Sequence, residues 1–199
     1  MTAKRVFDLL LSVTGLLLLG FFFAAIAVWI KLGSPGPVFF RQERVGRFGR
    51  LFRIYKFRTM CDGAEARGMQ LTAGEDPRIT GAGRVLRRYK LDELPQLINV
   101  VRGEMSLVGP RPEVPRFVRM YPEGVREKVL SVPPGITDFA SIEYRDESAV
   151  LGLCADPEAA YLAEVMPAKL RYYERYVAER SLWVDFKIIL ATFKAIIAG

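Results

Sequence analysis

Residues 91–112, LDELPQLINVVRGEMSLVGPRP, decide how this 199-residue chain is organised. The segment begins with two adjacent carboxylates, Asp92 and Glu93. Apolar residues then recur with the spacing of one helical face, at positions 94, 97, 98 and 101. Gly103 is placed to end that helix, and the short apolar run 105–108 is typical of a strand.

The segment ends in Gly109-Pro110-Arg111-Pro112, a loop in which two prolines stiffen the chain around one guanidinium. A helix start favours anions, and a rigidly mounted arginine is suited to oxyanions. An adjacent Asp-Glu pair alone is a weak signal, because most such pairs cap helices or face water. Together with the arginine, the pair predicts a site that handles phosphate.

The amino-acid composition limits the ligands and the catalytic mechanisms that this chain can use. Lys and Arg outnumber Asp and Glu by 29 to 22, a net charge of +7. This excess indicates an anionic partner, such as nucleic acid, anionic lipid or a phosphorylated substrate, unless it merely solvates the surface.

Because the chain has no histidine, Ser-His-Asp catalysis, Cys-His catalysis and histidine-ligated metals are excluded. Cys61 and Cys154 lie far apart, so we expect free thiols in a reducing compartment.

Residues 6–30 are almost wholly apolar. As a straight helix they would extend roughly 37 Å, enough to cross a bilayer, and they lack a signal-peptide cleavage pattern. Cations flank the segment on both sides, namely Lys4, Arg5, Lys31, Arg41, Arg44, Arg47 and Arg50. By the positive-inside rule both flanks favour the cytoplasmic side, which a re-entrant hairpin satisfies and a straight span does not. Gly20 is the predicted break; a buried helix of a soluble protein is the alternative.

Residues 50–60, RLFRIYKFRTM, are predicted to form a strand, after an arginine-rich turn at 41–49. Strict alternation places four side chains on one face: Phe52, Ile54, Lys56 and Arg58. The two cations of that face form either a phosphate clamp or a solvated edge, and the local pattern favours neither.

A basic segment, residues 83–89, leads into the carboxylate pair and contains Arg87. Its positive charge is expected to keep Asp92 and Glu93 ionised. An ionised aspartate suits a nucleophile or a metal ligand rather than a general acid.

The second half of the chain is predicted to be mainly helical. We expect a helical stretch at 115–131 interrupted at Tyr121-Pro122, and a strand at 136–144. Helices at 155–165 and 168–178 are separated by Pro167. The last helix, which Ser181 is placed to cap, has a wide apolar face that suits either the membrane interface or the protein core.

These motifs resemble the catalytic domain of bacterial sugar transferases, the monotopic phosphoglycosyl transferases. The matching stretches are Lys31-Leu32 with SPGPVFF (34–40), KFRTM (56–60), LDELPQLINVVRGEMSLVGPRP (91–112), PGIT (134–137) and SLWVDFKIIL (181–190). The resemblance covers nearly the whole chain. LDELPQ with VGPRP is highly specific, and KFRTM is moderately so.

The resemblance implies transfer of a sugar-1-phosphate from a nucleotide diphosphate sugar, usually UDP-linked, to a polyprenol phosphate such as undecaprenyl phosphate. The reaction takes place at the cytoplasmic face of the bacterial inner membrane. It is the first membrane step in the assembly of O-antigen, capsule, exopolysaccharide or glycoprotein glycans.

The resemblance also implies residue roles. Asp92 is the nucleophile that releases UMP and forms a phosphosugar–enzyme intermediate, and Glu93 is its partner carboxylate. Mg²⁺ bridges Asp92 and the diphosphate. The candidate phosphate cradle consists of Lys56, Arg58, Arg87, Arg111 and Arg145.

Two stretches depart from the family pattern. The family usually carries Ser-Pro midway in its membrane helix, where this chain has Gly20-Phe21, so Gly20 must permit the bend. The family often continues PGIT as G-x-A-Q-x-N-G-R, of which only Ala140 and Arg145 are present here. If this loop contacts the donor, we expect an unusual choice of substrate. From this resemblance we expect the minimal form of the family, without further membrane helices or an appended domain.

We therefore predict an α+β fold: a mostly helical cytoplasmic catalytic domain with a few short strands and interfacial amphipathic helices, residues 33–199. It follows one membrane-embedded, re-entrant or spanning helix, residues 1–32. The expected partners are a UDP-sugar, polyprenol phosphate and membrane lipid, without nucleic acid, and a homodimer is compatible with the sequence.

Two other functions stay open. A non-enzymatic basic module that binds anionic lipid or nucleic acid at the membrane surface would tolerate Asp92→Asn. A membrane-bound diphosphate hydrolase would turn over without polyprenol phosphate.

Overall fold

The structure is a computed structural model that describes residues 2–64, 74, 76–144 and 147–197. Helices dominate and strands are few and short, which confirms the α+β class. The helices are α1 (Ala3–Leu18), α2 (Gly20–Gly33), α3 (Gly81–Arg88), α4 (Leu97–Arg102), α5 (Pro115–Val118), α6 (Glu123–Leu130), α7 (Phe139–Glu143), α8 (Glu147–Gly152), α9 (Pro157–Ala160), α10 (Met166–Glu179) and α11 (Leu182–Ile197). The strands are β1 (Phe39–Val45), β2 (Leu51–Phe57), β3 (Ser106–Val108) and β4 (Gly135–Thr137). The described residues also form the 3₁₀ helices Arg47–Gly49 and Leu91–Gln96 and the π-helical turn Tyr161–Val165.

The apolar N-terminal segment forms two helices where one was predicted. α1 and α2 meet at Leu19, and their axes differ by 60°. The bend therefore lies next to Gly20, the residue at which it was predicted. Taken one at a time, the described helices are too short or too polar to cross a bilayer, and only the bent pair α1–α2 reaches the required length and apolar composition.

One face of α1 is polar and is buried against the rest of the chain. The Asp8 carboxylate accepts hydrogen bonds from the Ser106 hydroxyl (2.8 Å) and the Leu107 backbone N–H (3.1 Å) in β3. One turn earlier, Lys4 forms an ion pair with Asp185 of α11 (2.5 Å). The start of α1 is therefore fixed to the same body as β3 and α11.

Asp185 is fully buried and anchors α11. Its second oxygen lies 2.8 Å from the Tyr176 hydroxyl of α10, which is also 2.9 Å from the Val108 carbonyl. Ile188, one turn on, is buried in the same region. The opposite face of α11 exposes its large apolar side chains, namely Leu182, Trp183, Phe186, Leu190, Phe193 and Ile197. α11 thus both packs on the core and presents an apolar outer face.

β1 and β2 form an antiparallel hairpin. The alternation predicted for β2 is confirmed, because Phe52 and Ile54 point inward and pack with Val100 and Met105. β1 occupies residues 41–45 of the stretch predicted as a turn, so the prediction is wrong there, whereas residues 46–49 do form the turn of the hairpin. Cross-strand pairing with β2, which is not visible in the arginine-rich sequence of β1, stabilises this strand.

β3 and β4 form a short parallel pair that fixes the Gly109-Pro110-Arg111-Pro112 loop. The backbones approach so closely that a Cβ atom on Gly135 would lie 2.0 Å from the Gly109 nitrogen. The Gly135 N–H donates to the Pro110 carbonyl (2.9 Å). The mounting of Arg111 thus depends on two glycines.

Two predictions about the second half are wrong. The strand predicted for 136–144 stops at Thr137, because the Asp138 carboxylate accepts from the Ser141 N–H (2.7 Å) and caps α7. Pro167 does not separate two helices, since it is the second residue of α10 and the turn before α10 is also helical. The π-helical turn Tyr161–Val165 leads directly into α10. The predicted interruption near Pro122, between α5 and α6, is confirmed.

Removing the buried carboxylate of Asp185 should destabilise the fold. Asp185→Ala removes the carboxylate that Lys4 and the Tyr176 hydroxyl share, although both keep a bond to the Val108 carbonyl, and we expect the free energy of unfolding to fall by about 3 kcal/mol. The measurement is the thermal unfolding midpoint in nonionic detergent. Glu179→Ala, which removes a carboxylate from an exposed pair with Arg175, is the control and should cost less than about 0.5 kcal/mol. Equal effects of the two substitutions would contradict the anchoring role of Asp185.

Candidate active site

Asp92 and Glu93, here called the dyad, lie in the 3₁₀ helix Leu91–Gln96, between α3 and α4. Lys90 precedes this helix in the left-handed conformation (φ 54°), which turns the chain sharply out of α3. Both carboxylates are buried, with 7% and 9% of their residue surface exposed. The dyad therefore sits within the fold and not at a solvated helix cap.

Glu93 is held by two cations. Lys56 of β2 lies 2.7 Å from Oε1, and the Arg111 guanidinium contacts both carboxylate oxygens, at 2.5 and 3.1 Å. Burial alone would raise the pKa of Glu93, but Arg111 and Lys56 together outweigh it and hold this pKa well below its usual range. Glu93 is thus a fixed anion that positions two cations.

Asp92 has a different environment. Within the described ranges, its carboxylate makes no hydrogen bond and no ion pair with another side chain. Burial raises the pKa of Asp92, against the opposing charge of Lys56, and the neighbouring Glu93 raises it further. The pKa of Glu93 is shifted in the direction that favours the ionised form, by Arg111 and Lys56 and not by the basic segment 83–89. At Asp92, Arg87 and Lys90 act in the expected direction and burial opposes them.

Arg87 reaches the dyad from the last turn of α3. Its Nε donates to the Thr59 hydroxyl (2.9 Å), and its charge acts on Asp92. α3 can approach this closely because Gly83 has no side chain; a Cβ atom there would lie 2.0 Å from the Thr59 carbonyl oxygen. Three of the predicted cradle residues, Lys56, Arg87 and Arg111, are therefore brought together around the dyad.

The other two residues predicted for the phosphate cradle are Arg58 and Arg145. Arg58 lies just beyond the end of β2, and its buried guanidinium donates to the carbonyls of Ser34 (2.8 Å) and Pro35 (2.6 Å). It thus holds the turn after α2. Arg145 lies outside the residues that the structure describes, so its role in the cradle stays a prediction.

A second buried ion pair lies behind Arg111 and was not predicted. Arg44 of β1 contacts Glu113 (3.6 Å) and donates to the Pro112 carbonyl (3.0 Å), and the Tyr161 hydroxyl donates to Glu113 (3.0 Å). Arg44, Glu113 and Tyr161 thus support the chain that follows Arg111. The only sequence signal for it is the position of Glu113 directly after the two-proline loop.

The residues present are compatible with one Mg²⁺ ion shared with a substrate. In the described part of the chain no three His, Cys, Asp or Glu side chains come together as a metal site. Mg²⁺ in phosphoryl-transfer sites is commonly held by one or two carboxylates together with substrate phosphates and water. Asp92, a carboxylate without a protein partner, fits that donor set, whereas Glu93 is already occupied.

The sequence profile described as bacterial sugar transferase matches residues 1–199. The chain belongs to the bacterial sugar transferase family. This family member is 39% identical over 198 residues to the UDP-N-acetylgalactosamine-undecaprenyl-phosphate N-acetylgalactosaminephosphotransferase of Aeromonas hydrophila, covering 98% of this chain and 44% of the relative. It is 38% identical over 192 residues to the UDP-glucose:undecaprenyl-phosphate glucose-1-phosphate transferase of Escherichia coli (strain K12), covering 95% and 39%.

A relative of similar size is the exopolysaccharide production protein PSS of Rhizobium leguminosarum bv. phaseoli. The Rhizobium protein is 38% identical to the present chain over 195 residues, covering 95% of this chain and 92% of the relative. By contrast, the chain spans less than half the length of the Aeromonas and Escherichia proteins.

The ion pairs of Glu93 should make stability depend on pH. A depressed carboxyl pKa contributes stability that is present above the unfolded pKa, about 4.3 for Glu, and is lost as the pH falls through the folded pKa. Glu93→Gln should therefore lower the free energy of unfolding by about 3 kcal/mol at pH 7, and by less below about pH 4. The measurement is the unfolding midpoint of wild type and variant across this range.

Glu43→Gln is the matched control, because Glu43 is an exposed carboxylate on β1. It should change stability by less than about 0.5 kcal/mol at neutral pH. A Glu93→Gln effect of the same size at acid and neutral pH would contradict the ion-pair assignment.

Proposed function

We propose that this bacterial sugar transferase moves a sugar-1-phosphate from a UDP-sugar to polyprenol phosphate through a covalent intermediate on Asp92. The observation that carries the proposal is the buried, unpartnered carboxylate of Asp92 beside a Glu93 that is fully engaged by Lys56 and Arg111. Of the two carboxylates, only Asp92 is available to react. The relatives support the substrates, since two of them are named for UDP-sugar donors and undecaprenyl phosphate.

The first half-reaction forms the intermediate. An Asp92 carboxylate oxygen attacks the β-phosphorus of the donor, and the bond from that phosphorus to the oxygen bridging the two phosphates breaks. UMP leaves with the bonding electron pair, and the sugar phosphate remains on Asp92. Because the nucleophile is consumed and regenerated, the cycle is ping-pong.

The second half-reaction restores the enzyme. A phosphate oxygen of polyprenol phosphate attacks the same phosphorus, and the bond to Asp92 breaks. The product is a sugar linked to polyprenol through a diphosphate, and Asp92 is again a carboxylate.

The cations of the site reduce the electrostatic repulsion between the carboxylate nucleophile and the diphosphate. A carboxylate that approaches a diphosphate brings like charges together, and the negative charge spreads in the transition state. Glu93 holds Lys56 and Arg111 in fixed positions, and Arg87 adds a third cation near Asp92. These groups bind and orient the diphosphate while also favouring the ionised form of Asp92.

Mg²⁺ is part of the proposal, with Asp92 as its protein ligand. When bound, the ion would neutralise diphosphate charge as a Lewis acid. Its positive charge would also oppose the burial that raises the pKa of Asp92.

We further propose that the enzyme acts at the cytoplasmic face of the bacterial inner membrane, with α1–α2 as a re-entrant element. The 60° bend between α1 and α2 and the exposed apolar side chains of both helices support this location. The ion pair of Lys4 with Asp185 fixes the start of α1 to α11 of the catalytic domain. A lipid acceptor can then present its head group to the dyad without leaving the membrane.

Substitution of the nucleophile tests the mechanism. Asp92→Asn should abolish UMP release from every UDP-sugar, whereas Glu93→Gln should slow at least one half-reaction, because it frees Lys56 and Arg111. The measurement is UMP formation with Mg²⁺, with and without polyprenol phosphate. Wild type should give a burst of about one UMP per enzyme without the acceptor and sustained turnover with it.

Asp156→Asn is the control, because Asp156 caps the distant helix α9 and asparagine caps equally well. Full activity of Asp92→Asn would contradict the covalent mechanism. Continuous UMP release without polyprenol phosphate would indicate a hydrolase instead.

Topology can be tested separately. In a background with Cys61→Ser and Cys154→Ser, a cysteine at Thr2 should resist an impermeant thiol reagent added outside intact spheroplasts. The same cysteine should react once the cells are opened. Labelling from outside would contradict the re-entrant arrangement.

A further inference from the structure

A groove of about 570 Å³ lies at the C-terminal end of α4, whereas the dyad precedes the N-terminal end of that helix. Its wall combines cations with apolar side chains. The lining residues that matter here are Lys4, Arg5, Arg47, Met105, Arg180 and Leu182. The volume lies in the range of pockets that hold small ligands.

Three arginines of the groove have no acidic partner. Among the residues that the structure covers, Arg5, Arg47 and Arg180 form no ion pair with a carboxylate. Arg5 donates to the carbonyls of Val100 (2.5 Å) and Val101 (3.0 Å). These bonds leave guanidinium N–H groups available.

The remaining hydrogen bonds of these arginines are few. Arg47 uses only its Nε, which donates to the Ser131 carbonyl (2.9 Å), and Arg180 makes one long bond to the Val177 carbonyl (3.5 Å). Arg47 and Arg180 are both exposed. Most of their N–H donors are therefore free to bind an incoming anion.

The one carboxylate in the lining does not neutralise these cations. Asp8 is buried and bonded to Ser106 and Leu107, and the ammonium of Lys4 is paired with Asp185. Three like charges around one groove repel one another unless an anion lies between them. A phosphate accepts paired hydrogen bonds from such guanidiniums.

The groove opens next to an apolar surface. Leu182 lines it, and the next residue, Trp183, is 63% exposed and stacks on Phe186 with ring centroids 5.9 Å apart. These residues begin the apolar outer face of α11. A ligand that fits both features has an anionic head group and apolar chains.

We propose that this groove binds the phosphate of an anionic membrane phospholipid, at a site separate from the acceptor site at Asp92. Arg5, Arg47 and Arg180 contact the phosphate oxygens, and Leu182 and Trp183 contact the acyl chains. The proposal rests on the membrane location proposed above, but it does not depend on the transfer reaction.

Quenching of Trp183 fluorescence by brominated lipid tests this site. Trp29→Phe leaves Trp183 as the only tryptophan. In nonionic detergent micelles, the full-length protein is titrated with phosphatidylglycerol or phosphatidylcholine carrying brominated chains. We expect stronger quenching by phosphatidylglycerol, and Arg47→Gln with Arg180→Gln should reduce the relative affinity for it roughly tenfold to thirtyfold.

The control is Arg119→Gln with Arg171→Gln, the same charge change at exposed arginines that do not line the groove. It should leave the preference for phosphatidylglycerol unchanged. Equal quenching by the two lipids, or equal losses in both double variants, would overturn the proposal. Displacement of the lipid by inorganic phosphate at similar concentration would assign the groove to a soluble anion and would also overturn it.

UMP release and the unfolding midpoint of each variant are measured in parallel. The groove variants should retain both, since neither arginine contacts the dyad. If no UDP-sugar releases UMP, the transfer proposal fails while the quenching result still decides the groove proposal.

Discussion

The ion pair between Glu93 and Arg111 is the interaction on which the site depends. The half-buried guanidinium of Arg111 makes a bidentate contact with the buried carboxylate of Glu93, and Lys56 is the third member of the cluster. Burying charge is unfavourable unless the partners are well placed, and here β2 and the two-proline loop place them. Because Glu93 pairs with both cations, Asp92 has no hydrogen-bond or ion-pair partner among the described residues. The different environments of the two adjacent carboxylates thus follow from which of them Lys56 and Arg111 contact.

The sequence was sufficient for the elements whose signals are local. The LDELPQ and VGPRP motifs identified Asp92, Glu93 and Arg111, and alternation along β2 placed Lys56 on the inward face. The break near Gly20 was also predicted, since an apolar segment flanked by cations on both sides favours a bend. In each case the relevant information lies within a few residues of the feature.

Features that depend on tertiary context were predicted poorly. Arg58 was assigned to the site by alternation, but β2 ends one residue earlier, and its guanidinium turns to the carbonyls after α2. The burial of Asp92, which raises its pKa, was not visible in the sequence, because proximity in sequence to arginines says nothing about burial. The helix after Thr137 was missed because the capping role of Asp138 competes with a strand-like pattern.

The polar face of α1 has a practical consequence for handling this protein. The first turns of α1 supply hydrogen-bond or ion-pair partners to Ser106, Leu107, Asp185 and the carbonyls at the end of α4. Removal of the apolar N-terminal segment to gain solubility would leave these polar groups in the remaining domain without their hydrogen-bond and ion-pair partners. These contacts join α1 to the domain that holds the dyad, so the protein should be prepared with its apolar N-terminal segment intact.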